Sequence, residues 1–239
     1  MILLNSNKRL ITFLTVLVSG IIIFFLGLGN TGLVDETPPL FASAARAMSE
    51  SGDWLTPKVN GIFRFDKPPL IYWLMGLFYS LPNNKLWDSF GTLSARLPSA
   101  LASLSLMLMI GDTLFCWPQR DAGKLLTPFV ASLGFALSPL IIIWSRTAVS
   151  DALLCGTLGI SLLLFWRRMA SDKTEKCISA WFFLGLAVLT KGPVALLLAI
   201  MTIGSFLVTQ NNWKNLYSKL NPKIGLLLTF LISAPWYLL

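Results

Sequence analysis

Seven ionisable side chains interrupt apolar sequence where a charge is costly: Asp35, Glu36, Lys67, Arg96, Arg146, Asp151 and Lys191. A charge near a membrane core costs about 2.5–3.5 kcal/mol on insertion scales, so each marks a functional site by default. The chemistry open to such a set is proton transfer at the carboxylates and the holding of negative charge by the cations. The chain has no histidine, which excludes imidazole acid–base work, Ser-His-Asp triads and His-ligated zinc. Cys116, Cys155 and Cys177 show no CxxC spacing and read as packing residues. Neither a Walker loop nor a Rossmann fingerprint is present.

Each charge also has a purely structural reading. Asp35 and Glu36 suit the N-terminus of a following helix. Lys67 and Arg96 can snorkel to lipid phosphate. Asp151 can cap a helix, a contribution of ~1 kcal/mol, or pair with Arg146. Singly none identifies an enzyme; together they are carboxylates and cations facing one membrane-edge cavity.

The elements that position them are membrane helices. Of 239 residues, 55% are hydrophobic and 13% charged, with a mean hydropathy of +0.70, which excludes a water-soluble globular enzyme. A span needs roughly 20 apolar residues, and seven candidates occur at 10–29, 97–117, 125–144, 152–166, 178–190, 193–208 and 224–239. The fifth and sixth are short and predict two helices meeting at a tight turn at Gly192-Pro193. The positive-inside rule puts the N-terminus in the cytoplasm with Lys8, Arg9, Arg120, Lys124, Arg167, Arg168, Lys173, Lys176, Lys214, Lys219 and Lys223. The first loop, 30–96, is then extracytoplasmic, and so are all seven charges above. Asp112 falls toward the cytoplasmic end of the second span and reads as a boundary residue. Within the loop, 40–51 has helical spacing with Gly52-Asp53 as a stop, and 69–81 predicts an interfacial helix at the headgroups. The abrupt apolar end, Pro235 to Leu239, predicts a fragment or truncated product.

Four blocks then carry a family resemblance: GLVDE at 32–36, SGDWLTP at 51–57, FDKPPLIYWL at 65–74 and ARLPSAL at 95–101. In this order and spacing the chain resembles the GT-C membrane glycosyltransferases. Its nearest likeness there is to the aminoarabinose transferase and dolichyl-phosphate-mannose protein mannosyltransferase families. Thr190 to Pro193 and Arg146 to Asp151 extend the likeness over nearly the whole chain. One departure stands out. Relatives often carry an Arg-Tyr pair two residues after the acidic pair, where this chain has Pro38-Pro39; that arginine's contact is absent here or falls to Arg46.

The resemblance implies an all-α polytopic bundle, with 1–239 as the N-terminal part of a GT-C transmembrane domain in the cell (inner) membrane. It implies transfer of a sugar from a polyprenyl-phosphate donor to an extracytoplasmic acceptor: a protein hydroxyl, lipid A or another glycan. Lys67 is then the first candidate for the donor phosphate, with Arg96, Arg146 and Lys191 after it. Asp35 is the candidate base, Glu36 its support and Asp151 a second carboxylate that also rivals Asp35 as base. A divalent ion between Asp35 and Asp151 is conceivable but not favoured, so no cofactor is expected, and no nucleic acid partner. The rival readings are a transporter or lipid-binding membrane protein, whose charges would be spread through the bilayer depth, and an inactive fragment.

Overall fold

Leu, Ile, Ala and Phe fill the apolar runs, and Gly, Pro and Asn punctuate them, so helices form with sharp ends. The computed structural model describes residues 2–116, 126–171 and 177–238, with backbone alone for 2–8 and 84. Trp117, Arg120, Lys124, Leu125, Lys173, Lys176 and Leu239 lie outside the described residues. In order, the helices are α1 (Ile2–Phe25), α2 (Thr37–Ser51), α3 (Leu70–Tyr79), α4 (Asn84–Trp87), α5 (Thr92–Cys116), α6 (Leu126–Ala136), α7 (Pro139–Ser145), α8 (Ser150–Ala170), α9 (Ile178–Lys191), α10 (Pro193–Val208), α11 (Trp213–Lys219) and α12 (Pro222–Leu238). One antiparallel hairpin, β1 (Lys58–Val59) and β2 (Ile62–Phe63), interrupts them between α2 and α3.

The expected all-α membrane bundle is what forms. Helix α5 packs on α1, α6 and α8; α8 packs on α9, and α9 on α10 and α12. Small residues set the closest approaches, as is usual between membrane helices. A Cβ at Gly156 of α8 would stand 2.8 Å from the Ala102 carbonyl oxygen of α5. One at Gly225 of α12 would fall 2.0 Å from the Trp181 ring of α9. Outward faces are apolar: Ile11, Leu14, Val18 and Ile22 on α1, and Leu227, Phe230 and Leu231 on α12, are all exposed. A soluble monomer does not present such surface; lipid does.

All seven predicted apolar segments are helical, but their lengths differ from those expected. Among the described residues, α5 and α8 are long and apolar enough to cross a membrane alone. The third segment is broken: α6 and α7 meet at a 65° bend, and the pair counts as one span only if taken together. Helix α9, at 14 residues, reaches about 21 Å against a hydrocarbon core of ~30 Å. As expected, α9 and α10 meet at Gly192, whose φ of +75° suits glycine.

The first loop is ordered by its own motif residues. Helix α2 stops at Gly52, left-handed at φ +75°, with its N–H on the Met48 carbonyl at 3.0 Å. Asp53 then nucleates a turn, accepting the Leu55 and Thr56 N–H groups at 3.2 and 3.1 Å and Lys58 Nζ at 3.1 Å, with the Thr56 hydroxyl as a further donor. The Trp54 carbonyl accepts from Trp73 Nε1 at 2.6 Å, which ties the GDW block to the DKPPL block. Helix α3 buries Leu70, Ile71, Tyr72, Met75 and Gly76, sandwiched with α2 over α5. Of its aromatics, Tyr72 is buried in the core, while Trp73, Phe78 and Tyr79 are partly exposed.

At the opposite end of the bundle, Asp112 takes Arg9 at 2.5 Å and Arg167 at 2.9 Å. The expected boundary residue is thus a clamp across α1, α5 and α8.

Candidate active site

One apolar core determines where the seven charges stand. It joins Leu33, Phe41, Leu70, Ala95, Ala148, Leu153 and Leu189, among others. Each of these except Phe41 lies within three positions of a charged residue singled out above. The core therefore gathers Asp35–Glu36, Lys67, Arg96, Arg146, Asp151 and Lys191 around one end of the bundle, the end covered by α2 and α3.

Asp35 stands between α1 and α2 with φ +77°, a left-handed backbone that costs a non-glycine residue roughly 1–3 kcal/mol. Its Oδ1 accepts the Glu36 N–H at 2.8 Å. Glu36 occupies the N-cap position of α2 but makes no side-chain cap, and Pro38 and Pro39 fill the first turn. Capping does not explain this pair. Both side chains are exposed.

Lys67 sits just before Pro68-Pro69 and α3, half-buried, with no ion pair or hydrogen bond to a described residue. Two polar groups beside it carry no sequence signal of their own. Arg64 pairs with Asp66 at 2.5 Å, yet its Nε is buried and unpartnered among the described residues, as is the hydroxyl of fully buried Tyr72. Burial pushes the Tyr72 phenol up to about 12, against the opposing pull of Arg64; it stays protonated.

Asp151 lies in the first turn of α8 and Lys191 in the last turn of α9, joined at 2.6 Å. Each suits the helix dipole at its own end. Val149, not Asp151, occupies the N-cap position of α8, and Arg146 does not pair with Asp151.

Arg96 and Arg146, expected as further phosphate contacts, donate to backbone carbonyls in this structure. Buried Arg96 donates to the carbonyls of Leu28 (2.6 Å), Thr31 (2.9 Å) and Gly32 (2.7 Å), and to the Thr31 hydroxyl at 3.0 Å. Arg146 donates to the carbonyls of Ile23 (3.1 Å) and Leu26 (2.8 Å). Helix C-termini leave carbonyls unpaired, and these two guanidiniums satisfy those at the end of α1. Thr92 adds a bond from its hydroxyl to the Gly29 carbonyl at 3.0 Å. The segment that presents Asp35 is thereby fixed to α5 and to the α7–α8 turn.

A hollow of about 510 Å³ opens beside this segment, bordered by Thr31, Gly32, Leu33, Pro39, Arg46 and Thr92 among others. None of the seven charged residues lines it; contrary to the expectation of one shared cavity, what they share is the core beneath them rather than this hollow.

Comparison with known proteins agrees with this architecture. Residues 66–238 match the family model described as dolichyl-phosphate-mannose-protein mannosyltransferase. An uncharacterised protein of Aquifex aeolicus is 29% identical over 228 residues, covering 95% of this chain and 43% of the relative. The undecaprenyl phosphate-alpha-4-amino-4-deoxy-L-arabinose arabinosyl transferase of Pseudomonas paraeruginosa is 26% identical, over 90% of this chain and 38% of its own. The chain thus spans about two fifths of the length of the curated relatives it matches. Crystal structures of ArnT from Cupriavidus metallidurans superpose at a TM-score of 0.79 in the apo state, over 97% of this chain and 41% of that one. The form bound to undecaprenyl phosphate gives 0.78, and identity is 22% for both. By the family-model match over residues 66–238, this multi-pass membrane chain belongs to the dolichyl-phosphate-mannose-protein mannosyltransferase family.

Proposed function

We propose that the protein is a membrane glycosyltransferase moving a sugar from a polyprenyl-phosphate donor to an acceptor hydroxyl on the extracytoplasmic face of the cell membrane. The observation that carries this reading is the single core that assembles carboxylates and cations from five separate segments at one end of the bundle. A relative is named for an undecaprenyl-phosphate-linked sugar, and a fold neighbour binds undecaprenyl phosphate.

As the bond from the anomeric carbon to the phosphate oxygen breaks, the leaving phosphate gains negative charge. A fixed cation beside it is worth more in the transition state than in the ground state, which is what accelerates the step. Lys67 takes that role, being half-buried with an unengaged ammonium. Arg64 Nε and the Tyr72 hydroxyl are buried beneath the surface and take no direct part in holding the donor. Lys191 is the second cation, exchanging Asp151 for the donor or sharing itself between them. Asp35 accepts the proton of the attacking hydroxyl, and Glu36 supports it. Arg96 and Arg146 hold the Asp35 segment. The scheme calls for no cofactor.

The acceptor is a protein hydroxyl, lipid A or another glycan. The N-terminus is cytoplasmic by the charge bias of the loops. Donor choice tests the reading. Vesicles carrying the protein should transfer sugar from a polyprenyl-phosphate conjugate and not from the matching nucleotide sugar. Transfer from the nucleotide sugar alone would reject it, and substrate flux without transfer would favour the transporter.

A further inference from the structure

Arg46 is the cation of α2, and the transfer scheme above assigns it nothing. Its guanidinium lies over the Tyr79 ring, 5.0 Å from the centroid. It also rests on Gly91, where a Cβ would come within 1.9 Å of one of its terminal nitrogens. Gly91 holds φ +66°, and its carbonyl accepts the Tyr79 hydroxyl at 2.6 Å. Burial pushes that phenol up to about 12, so it remains a donor. Two residues from separate segments, themselves joined by a hydrogen bond, thus fix a long side chain that would otherwise roam, and stacking on an aromatic face is a guanidinium's preferred seat.

The fixed cation faces open space on both sides. Of the residues bordering the 510 Å³ hollow, Arg46 alone carries a full charge. A second hollow of about 360 Å³ lies on its other side, with Lys85, Glu50 and Asp88 in the lining. The Asp88 carboxylate is already engaged, accepting the Leu93 and Ser94 N–H groups at 3.0 and 2.7 Å. Arg46 itself forms no ion pair with a described residue. The first hollow is therefore cationic, and a hollow of this kind selects an anion.

Its surroundings say where the anion comes from. The hollow sits where α1 ends and α5 begins, the level at which spans leave the hydrocarbon. Phe90, which borders it, is 80% exposed, and the α4 residues Leu86 and Trp87 shortly before it in the chain are exposed as well. Aromatic and apolar side chains at that level lie among lipid headgroups and upper acyl chains. A soluble anion has no use for such a rim; a lipid does.

We propose that this hollow holds the headgroup phosphate of an anionic membrane phospholipid, bound by the Arg46 guanidinium, with Phe90 against its acyl chains. The site is separate from Lys67 and does not depend on the transfer reaction. Its occupant also touches Gly32, Leu33 and Pro39, which bracket Asp35.

The test is thermal unfolding of the purified protein in zwitterionic detergent, titrated with short-chain phosphatidylglycerol. Short-chain phosphatidylcholine, inorganic phosphate and undecaprenyl phosphate form parallel arms. Phosphatidylglycerol should raise Tm saturably, as a ligand of the folded state does, and the other three should not reproduce its curve. Arg46→Gln should weaken the apparent affinity by about tenfold or more, the loss of one charge-assisted hydrogen bond. Gly91→Ala keeps the charge but unseats it, and should weaken binding in the same direction. The proposal is overturned by equal shifts with phosphatidylcholine, by saturation with inorganic phosphate, by undecaprenyl phosphate matching phosphatidylglycerol, or by unchanged binding in both variants. The wild-type arms alone decide the matter if either variant fails to fold.

Discussion

Arg96→Ala removes four hydrogen bonds that fasten the end of α1 and the turn before Asp35. Bonds to a charged donor contribute about 1.5–3 kcal/mol each, and an acceptor left buried without a partner costs about 1–3 kcal/mol. Only the Leu28 carbonyl belongs to a buried residue; Thr31 and Gly32 are exposed and regain water. The expected loss of stability is therefore about 3–5 kcal/mol, toward the lower part of what four intact bonds would suggest. The kinetic consequence follows from geometry. A 1 Å displacement of a reacting group can cost ~10²-fold, so kcat should fall by about that factor with little change in donor KM. Arg96→Lys should rescue little, because a single ammonium cannot span three carbonyls. The assay is sugar transfer in vesicles with kcat and KM separated, beside thermal unfolding in detergent. A raised donor KM with intact kcat would mean that Arg96 touches the donor phosphate directly, and the positioning argument would fail.

Three further outcomes follow from the same geometry. A double-mutant cycle with Asp151→Asn and Lys191→Met, read by thermal unfolding, should give a coupling of only ~1 kcal/mol, since the two side chains are 41% and 29% exposed; coupling near zero would mean the pair does not join α8 to α9. Asp53 is held well below the ordinary carboxylate range by the Thr56 hydroxyl and then by Lys58; a lowered folded value makes its contribution full above the unfolded value near 3.8 and lost as pH falls below it. Unfolding profiles from about pH 6 to about pH 3 should therefore be flatter for Asp53→Asn than for wild type, and identical slopes would remove Asp53 from the loop's stability. Gly225→Val should destabilise by about 1–3 kcal/mol through overpacking on Trp181, and a neutral result would mean α9 and α12 are looser than described.

What was legible in the sequence follows what leaves a local mark. Helix α2 and its stop were readable because Phe41, Ala44, Ala45 and Met48 repeat at helical spacing and Gly52 must go left-handed. The turn at Gly192-Pro193 was readable for the same reason. The bend between α6 and α7 was not, because Leu137 and the flanking isoleucines keep the run apolar through Ser138-Pro139. Asn60-Gly61, both at positive φ, carries a hairpin signal, but the two-residue strands on either side are too short to show alternation. Among the site residues, the region common to all seven was legible from topology alone. The partners of Arg96 and Arg146 were not: both bind backbone carbonyls 64 to 123 residues away, and every residue type offers a carbonyl. Arg64 and Tyr72 escaped notice because their interest lies in unpartnered polar atoms buried inside a packed core.

The central claim is that Asp35 and Lys67 act on a lipid-carried sugar at one end of the bundle, and turnover of polyprenyl-phosphate sugar by Asp35→Asn and Lys67→Ala measures it most directly. The account predicts that each substitution lowers kcat by about 10²-fold or more, the range expected for removing a proton acceptor or a charge-stabilising donor, while the protein still folds. Undiminished transfer by both folded variants would contradict it.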